Sequence, residues 1–384
     1  PKDYPELDAS MMSIYLIEAE DELLNAMSDK SSENARSFLK EMGVDILWFM
    51  PITPISKVDR KGELGSYYAV ADYTAVNPEF GTMDDWKQLV NKAHELGFKV
   101  ITDWVANHTG ANHEWMDNHP DWFTRDAAGN FMERNGWEDV VDLNYDNKEM
   151  RAALIGAMQY WVRNFNIDGF RCDMAHLVPL DFWQAARTNC DIIKPLFWLA
   201  ECENANYHPT FDASYAWDWM HVSEKLNQGQ VGVNEVYNVL EGYVHYPSGA
   251  LKLFFTSNHD ENSWNGTEYE KYGIAAKPCA VFTHTWKGLP LIYSGQELPN
   301  HQRLQFFDKD CIAWGNEPAL HHFYKILSRC RKQYPALING ATYNLPTQSN
   351  RVMAYLRYDA SNVLLIVLNL SNEIQKISFY HELL

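Results

Sequence analysis

Positive charge is what this chain is short of: 32 Lys and Arg against 51 Asp and Glu leave a formal charge of −19 over 384 residues. So acidic a surface repels phosphate backbones and anionic lipid, which argues against nucleic acid and membrane surfaces as partners. Long apolar runs are missing too, none approaching the roughly 18 residues of a membrane span. The six cysteines (Cys172, Cys190, Cys202, Cys279, Cys311 and Cys330) form no CxxC pair and no metal-ligand spacing. Read as free, buried thiols, they lead to the expectation of a reducing compartment, the cytoplasm ahead of the periplasm or the cell exterior. No signal-peptide pattern is read at Pro1.

Apolar residues at 46% and charged ones at 22% are the proportions of a folded chain with a sizeable core. Aromatics are abundant, with 14 Trp and 21 Tyr, and flat faces of this kind suit sugar rings as well as core packing.

Periodicity gives the architecture. The segments SIYLIE (13–18), ILWFM (46–50), FKVITDW (98–104), GFRCD (169–173), LFWLAE (196–201), LKLFFTSN (251–258) and LPLIYSG (289–295) are apolar, β-rich and bounded by turns; FDASYAW (211–217) is a weaker eighth. Helical patterns alternate with them: NARSFLKEMG (34–43), TMDDWKQLVNKAHELG (82–97) with Thr82 and Asp85 as a capping box, NKEMRAALIGAMQYWVRNF (147–165) and HHFYKILSRCRKQYPAL (321–337). Alternation sustained over 300 residues predicts a (β/α)8 barrel within the α/β class rather than a doubly wound sheet. The barrel is expected to span 1–337. Its third strand-to-helix link, 105–146, is far longer than the usual 2 to 6 residues and reads as a short inserted domain. RVMAYLRY (351–358) and NVLLIVLNLS (362–371) predict a small antiparallel β domain over 338–384.

A barrel of this type carries its chemistry at the C-terminal ends of its strands. Polar residues gather there: Asp103, Asn107 and His108 in DWVANH, Arg171 and Asp173 in GFRCDMAH, Glu201 after LFWLA, and Asn258, His259 and Asp260 in SNHD. Converging carboxylates repel one another and are costly to desolvate, so their joint presence points to function where a lone one would not. Paired carboxylates suit glycoside chemistry, one attacking an oxocarbenium-like centre and the other protonating the leaving oxygen. Arg171, two residues from Asp173 and on the same strand face, is expected to lower the pKa of Asp173 and hold it ionised as nucleophile. Glu201, at the end of a very apolar strand, is the acid expected from desolvation.

On these residues the chain resembles the α-amylase family, glycoside hydrolase family 13. DWVANH (103–108), GFRCDMAH (169–176), LAECEN (199–204) and FTSNHD (255–260) are similar to its four short motifs in order. GSYYAVADY (65–73) with FGT (80–82), and GLPLIYSGQE (288–297), resemble two further stretches. The resemblance implies Asp173 as nucleophile, Glu201 as general acid/base and Asp260 as the third carboxylate, acting on α-1,4-linked glucans or maltooligosaccharides with retention. It implies sugar binding by His108, Arg171, His259 and Asp103, with Tyr68 stacking under the reacting glucose, Tyr67 being the alternative to it.

The same resemblance implies a structural Ca²⁺ held by Asn107 and Asp142, and no organic cofactor. Two departures bear on this. His176 stands where the family often has Lys in Asp-x-x-Lys-His, and the excursion offers no acidic cluster beyond Glu138 and Asp139. The loop after SIYLIE is shorter than in secreted amylases, so contacts from it are not carried over. The readings weighed against hydrolysis are a glucan transferase or a sucrose- or trehalose-acting relative, a catalytically silent amylase-like binding protein, and a metal-dependent barrel hydrolase. Trp104, Trp115, Trp137, Trp264 and Asn265 are read as acceptor-subsite residues on rim loops.

Overall fold

The computed structural model describes residues 12–17, 38–314 and 318–379. Its strands, in chain order, are β1 (Ile14–Ile17), β2 (Ile46–Phe49), β3 (Lys99–Trp104), β4 (His108–Gly110), β5 (Val140–Asp142), β6 (Gly169–Cys172), β7 (Phe197–Ala200), β8 (Ala213–Tyr215), β9 (Leu251–Phe254), β10 (Leu289–Tyr293), β11 (Ala341–Asn344), β12 (Val352–Tyr358) and β13 (Val363–Asn369). The main helices are α1 (Met83–Glu95), α2 (Lys148–Phe165), α3 (Leu180–Asp191), α4 (Trp217–Asn227), α5 (Val233–Gly242), α6 (Ala276–Thr285) and α7 (His321–Gln333).

Eight strands close into a parallel barrel in the order β1-β10-β9-β8-β7-β6-β3-β2. Each of the eight segments read as a strand supplies one, because an unbroken apolar run buries both faces, toward the barrel interior and toward the helices. Every residue of β2, β6, β7 and β9 is buried. Gly169 opens β6 because nothing larger fits: a Cβ there would lie 2.0 Å from the Phe197 carbonyl oxygen of the neighbouring strand.

Thr82 and Asp85 cap α1 reciprocally, side chain to backbone in both directions. Asn147 caps α2 by accepting from the Glu149 and Met150 amides, and Asn166 ends it in the left-handed region at φ 56°. Of the pattern over 34–43, residues 38–42 are helical and 34–37 lie outside the described residues, as does the loop from residue 18 that follows β1.

Between β3 and α2 the chain leaves the barrel, and β4 pairs antiparallel with β5, with His108 opposite Asp142. At the other end β11, β12 and β13 form an antiparallel sheet; β11 carries no apolar run and was not read from the sequence. One face of this sheet joins the main core: Tyr355 meets the Thr285 hydroxyl at 2.6 Å and sets its ring edge-on to Trp286.

Candidate active site

Parallel register brings the polar centre together. Asp103 on β3 lies beside Arg171 on β6, and the chain then carries Asp173 one step past the end of β6. The Asp173 amide donates to the Trp104 carbonyl at 3.0 Å, and the Glu201 amide to that of Cys172 at 3.0 Å, so both carboxylates leave the barrel at one level.

The Arg171 guanidinium is fully buried and faces three carboxylates at once. Nη1 donates to Asp103 Oδ1 at 2.8 Å and to Asp173 Oδ1 at 2.9 Å, while Nη2 lies 2.7 Å from Glu201 Oε2, too far off line to count as a straight hydrogen bond. Its Nε donates to the Tyr215 hydroxyl at 3.1 Å, and the rings of Trp48, Tyr68 and Tyr215 surround the cation at 5.2 to 5.8 Å. A fork of fixed donors suits this task better than a point charge would.

The expectation that Arg171 holds Asp173 ionised is corrected here. Burial pushes the Asp173 carboxyl well above its ordinary value; Arg171 pulls it down, but Glu201, Asp103 and Asp260 push it up again. One positive charge is divided among several negative ones, and sequence proximity had counted only one pair. The same burial raises Asp103 to about 6 against the pull of Arg171, and raises Asp260 to about 8, with Glu201 adding repulsion. The cluster therefore releases its protons as a unit, in steps that belong to no single residue.

Two imidazoles border the cluster, both kept neutral by burial: His108 is pushed down to about 4, and His259 well below its ordinary value with Arg171 adding to the effect. The Tyr68 hydroxyl donates to Asp103 Oδ2 at 3.0 Å and sits 2.6 Å from His259 Nε2, which fixes the ring. His259 Nε2 also lies 3.3 Å from Asp260 Oδ2.

A cavity of about 230 Å³ opens over these groups, with Tyr68, His108, Asp173, Glu201 and Asp260 on its wall. Tyr67 stacks on Phe80 at 6.1 Å and is not on that wall. Of the aromatic residues read as rim positions, Trp137 and Trp264 line the cavity, Trp137 edge-on to His108 at 5.2 Å. Trp104 is instead buried against Tyr73 and Phe170, and Trp115 packs on Trp122. Asn265 turns to Glu261 at 2.9 Å.

The sequence reading missed Lys61, Phe306 and Phe307 on the wall. The Phe306–Phe307 pair inside the polar stretch QRLQFFDKD was the available signal, since adjacent aromatics in a charged loop need a surface to serve.

Asn107 and Asp142 do come together, but they do not fit a Ca²⁺ ion. Asn107 turns its amide nitrogen, a donor, toward Asp142 Oδ1 at 3.4 Å and toward His108 Nδ1 at 3.1 Å. The other carboxylate oxygen of Asp142 accepts from Arg134 Nε at 2.7 Å. A hard cation takes 6 to 8 oxygen ligands; here a guanidinium already satisfies the Asp142 carboxylate. Asp139 is committed to Lys61 at 3.2 Å. Among the described residues no three His, Cys, Asp or Glu side chains gather as a metal shell.

Fold and site together define a (β/α)8 barrel with the layout of the barrel enzymes, polar groups from several strand ends converging at the C-terminal mouth. Residues 35–122 and 117–194 match the family model for the α-amylase catalytic domain. A solved maltogenic α-amylase of Thermotoga neapolitana is 33% identical, with a TM-score of 0.87 over 95% of this chain and 87% of that one. A solved α-amylase of Lactobacillus plantarum is 29% identical, with a TM-score of 0.88 over 96% of this chain and 90% of that one. An α-amylase of Haloarcula japonica is 29% identical over 88% of this chain, which spans about half (51%) of that protein's length. The chain belongs to the α-amylase family.

Proposed function

We propose that the chain cleaves α-1,4-glucosidic bonds in starch-like glucans or maltooligosaccharides with retention of configuration. The observation that carries this is the pairing of Asp173 and Glu201 on one guanidinium at the wall of one cavity. Retaining enzymes hold their two carboxyl groups about 5 to 5.5 Å apart, inverting ones about 6.5 to 9.5 Å with a water between. Two carboxylates that share a single guanidinium fit the closer class.

In this reading an Asp173 oxygen bonds to the anomeric carbon as its bond to the leaving oxygen breaks, and Glu201 gives that oxygen its proton. Glu201, now a carboxylate, takes a proton from water; the water oxygen bonds to the same carbon and Asp173 is released. Asp260, on the wall of the same cavity, hydrogen-bonds a sugar hydroxyl in this reading. Tyr68, its hydroxyl tethered to Asp103, offers its ring as a platform that cannot turn away.

The test is a digestion series on maltooligosaccharides, with products resolved by size and their new ends by anomer. Shorter products with α-anomeric ends are expected, and Asp173→Asn should lower kcat about 10⁴-fold or more. Unchanged turnover in that variant would sink the mechanism, and products longer than the input would assign transfer instead of hydrolysis.

A further inference from the structure

The leaving sugar must face Glu201, at the end of β7, and β7 lies diametrically opposite β1 in the closed barrel. Strands β2 and β10 flank β1, so loops from these two strands stand at the far end of the cavity, where the retained part of a glucan would run. That end is walled. Lys61, on the loop after β2, reaches Asp139 of the excursion with Nζ 3.2 Å from Oδ1, and the same ammonium sits 5.7 Å from the centre of the Phe307 ring on the loop after β10. Lys61, Asp139, Phe306 and Phe307 all line the cavity that holds Asp173 and Glu201.

The wall is fixed. Phe307 accepts from the Leu64 and Gly65 amides at 2.9 and 3.1 Å, and Asp308 Oδ1 accepts from the Glu63 amide at 2.7 Å. Arg60 ties the start of the loop down through the Ser56 and Ile55 carbonyls. Gly62 next to Lys61 has φ 63°, and a Cβ there would meet the Phe307 carbonyl oxygen and Asp308 Oδ1, each at 2.5 Å. Two loops docked at this closeness leave no slack for a swinging lid. Near Glu201 the cavity is lined by half-buried Met174, and His176, two residues further on, is exposed.

We propose that the Lys61–Asp139 pair makes this an exo-acting chain: it blocks the cleft just beyond the reacting sugar, so that only one or two glucosyl units at a non-reducing end can be seated. The proposal rests on the glucan-cleaving reading above and adds the position of the bond cut. Lys61 is a specificity-determining residue here. An interior bond needs a cleft open at both ends; with one end shut, a chain can enter only by its terminus.

The experiment compares two 4-nitrophenyl maltoheptaosides, one free and one with its non-reducing terminal glucose blocked by an ethylidene acetal. The parent is expected to cleave the free substrate to one or two short products and to leave the blocked one essentially uncut. Lys61→Ala, and separately Asp139→Asn, should raise the blocked-to-free rate ratio at least about tenfold and broaden the product lengths, since discrimination is a difference in transition-state binding. Thermal melts of both variants check that the loop stays folded. A parent that cuts both substrates at similar rates into a spread of lengths overturns the proposal. A parent that discriminates while both variants discriminate as strongly overturns the role of the pair. If neither substrate is cut, the glucan-cleaving reading fails and this one falls with it.

Discussion

Arg134 holds the Asp142 carboxylate with Nε 2.7 Å from Oδ2, so chelation should leave this protein's stability unchanged. A cation bound at 100 times its Kd would add about 2.7 kcal/mol to the folded state. With an unfolding entropy of about 2.1 cal/mol/K per residue, a chain this long has about 0.8 kcal/mol/K, so losing such an ion would lower Tm by about 3 °C. The expected shift between excess EDTA and excess Ca²⁺ is under about 1 °C. Replacing Arg134 by Met leaves the Asp142 carboxylate, which is 0% exposed, without its cation. Breaking a buried pair costs about 3 to 5 kcal/mol, but the Arg134 side chain is 58% exposed and the solvent-screened value is nearer 1 to 2 kcal/mol, or about 1 to 3 °C. Scanning calorimetry of parent and variant with and without chelator reads both numbers. A parent whose Tm falls by 3 °C or more in EDTA would refute the reasoning.

Two further outcomes are expected. The Glu297 carboxyl is buried, accepts from the Tyr15 hydroxyl at 2.6 Å, and is raised by desolvation from 4.5 to about 7. The folded state therefore keeps its proton to about pH 7 while the unfolded chain releases it near 4.5, so stability from this group is lost as pH rises across that window. Glu297→Gln should match the parent near pH 4.5 and exceed it at pH 8 by up to about 3 kcal/mol, or about 4 °C, in a pH series of thermal melts; equal differences at both pH values would contradict it. Arg171→Lys keeps the charge but loses the fork that faces Asp103, Asp173 and Glu201 together, and kcat/KM on a maltooligosaccharide should fall at least about 10²-fold. Full activity in that variant would show that the shared geometry is not needed.

The barrel was legible because its signal is local. An eight-residue window shows whether both faces of a strand are apolar, and Thr82 with Asp85 announces the start of α1 in four residues. β11 was missed because its burial alternates weakly and its pairing with β12 comes from across the chain. Within the site, Asp103, Arg171, Asp173, Glu201 and Asp260 could each be placed at a strand end, and register then gathers them. The sign of the Asp173 shift could not be read in the same way, because it depends on Glu201 and Asp260, which adjacency in sequence does not show.

The sequence alone, then, determined the strand and helix order, the motifs at the strand ends and the carboxylates that meet there, since all of these follow from short-range period and from a topology with one good solution. Only the tertiary structure decided which charges pair: Arg134 on Asp142, Lys61 on Asp139, and one guanidinium divided among Asp103, Asp173 and Glu201. Loops obey no period, and a salt bridge forms wherever packing leaves two opposite charges within reach of one another and out of water.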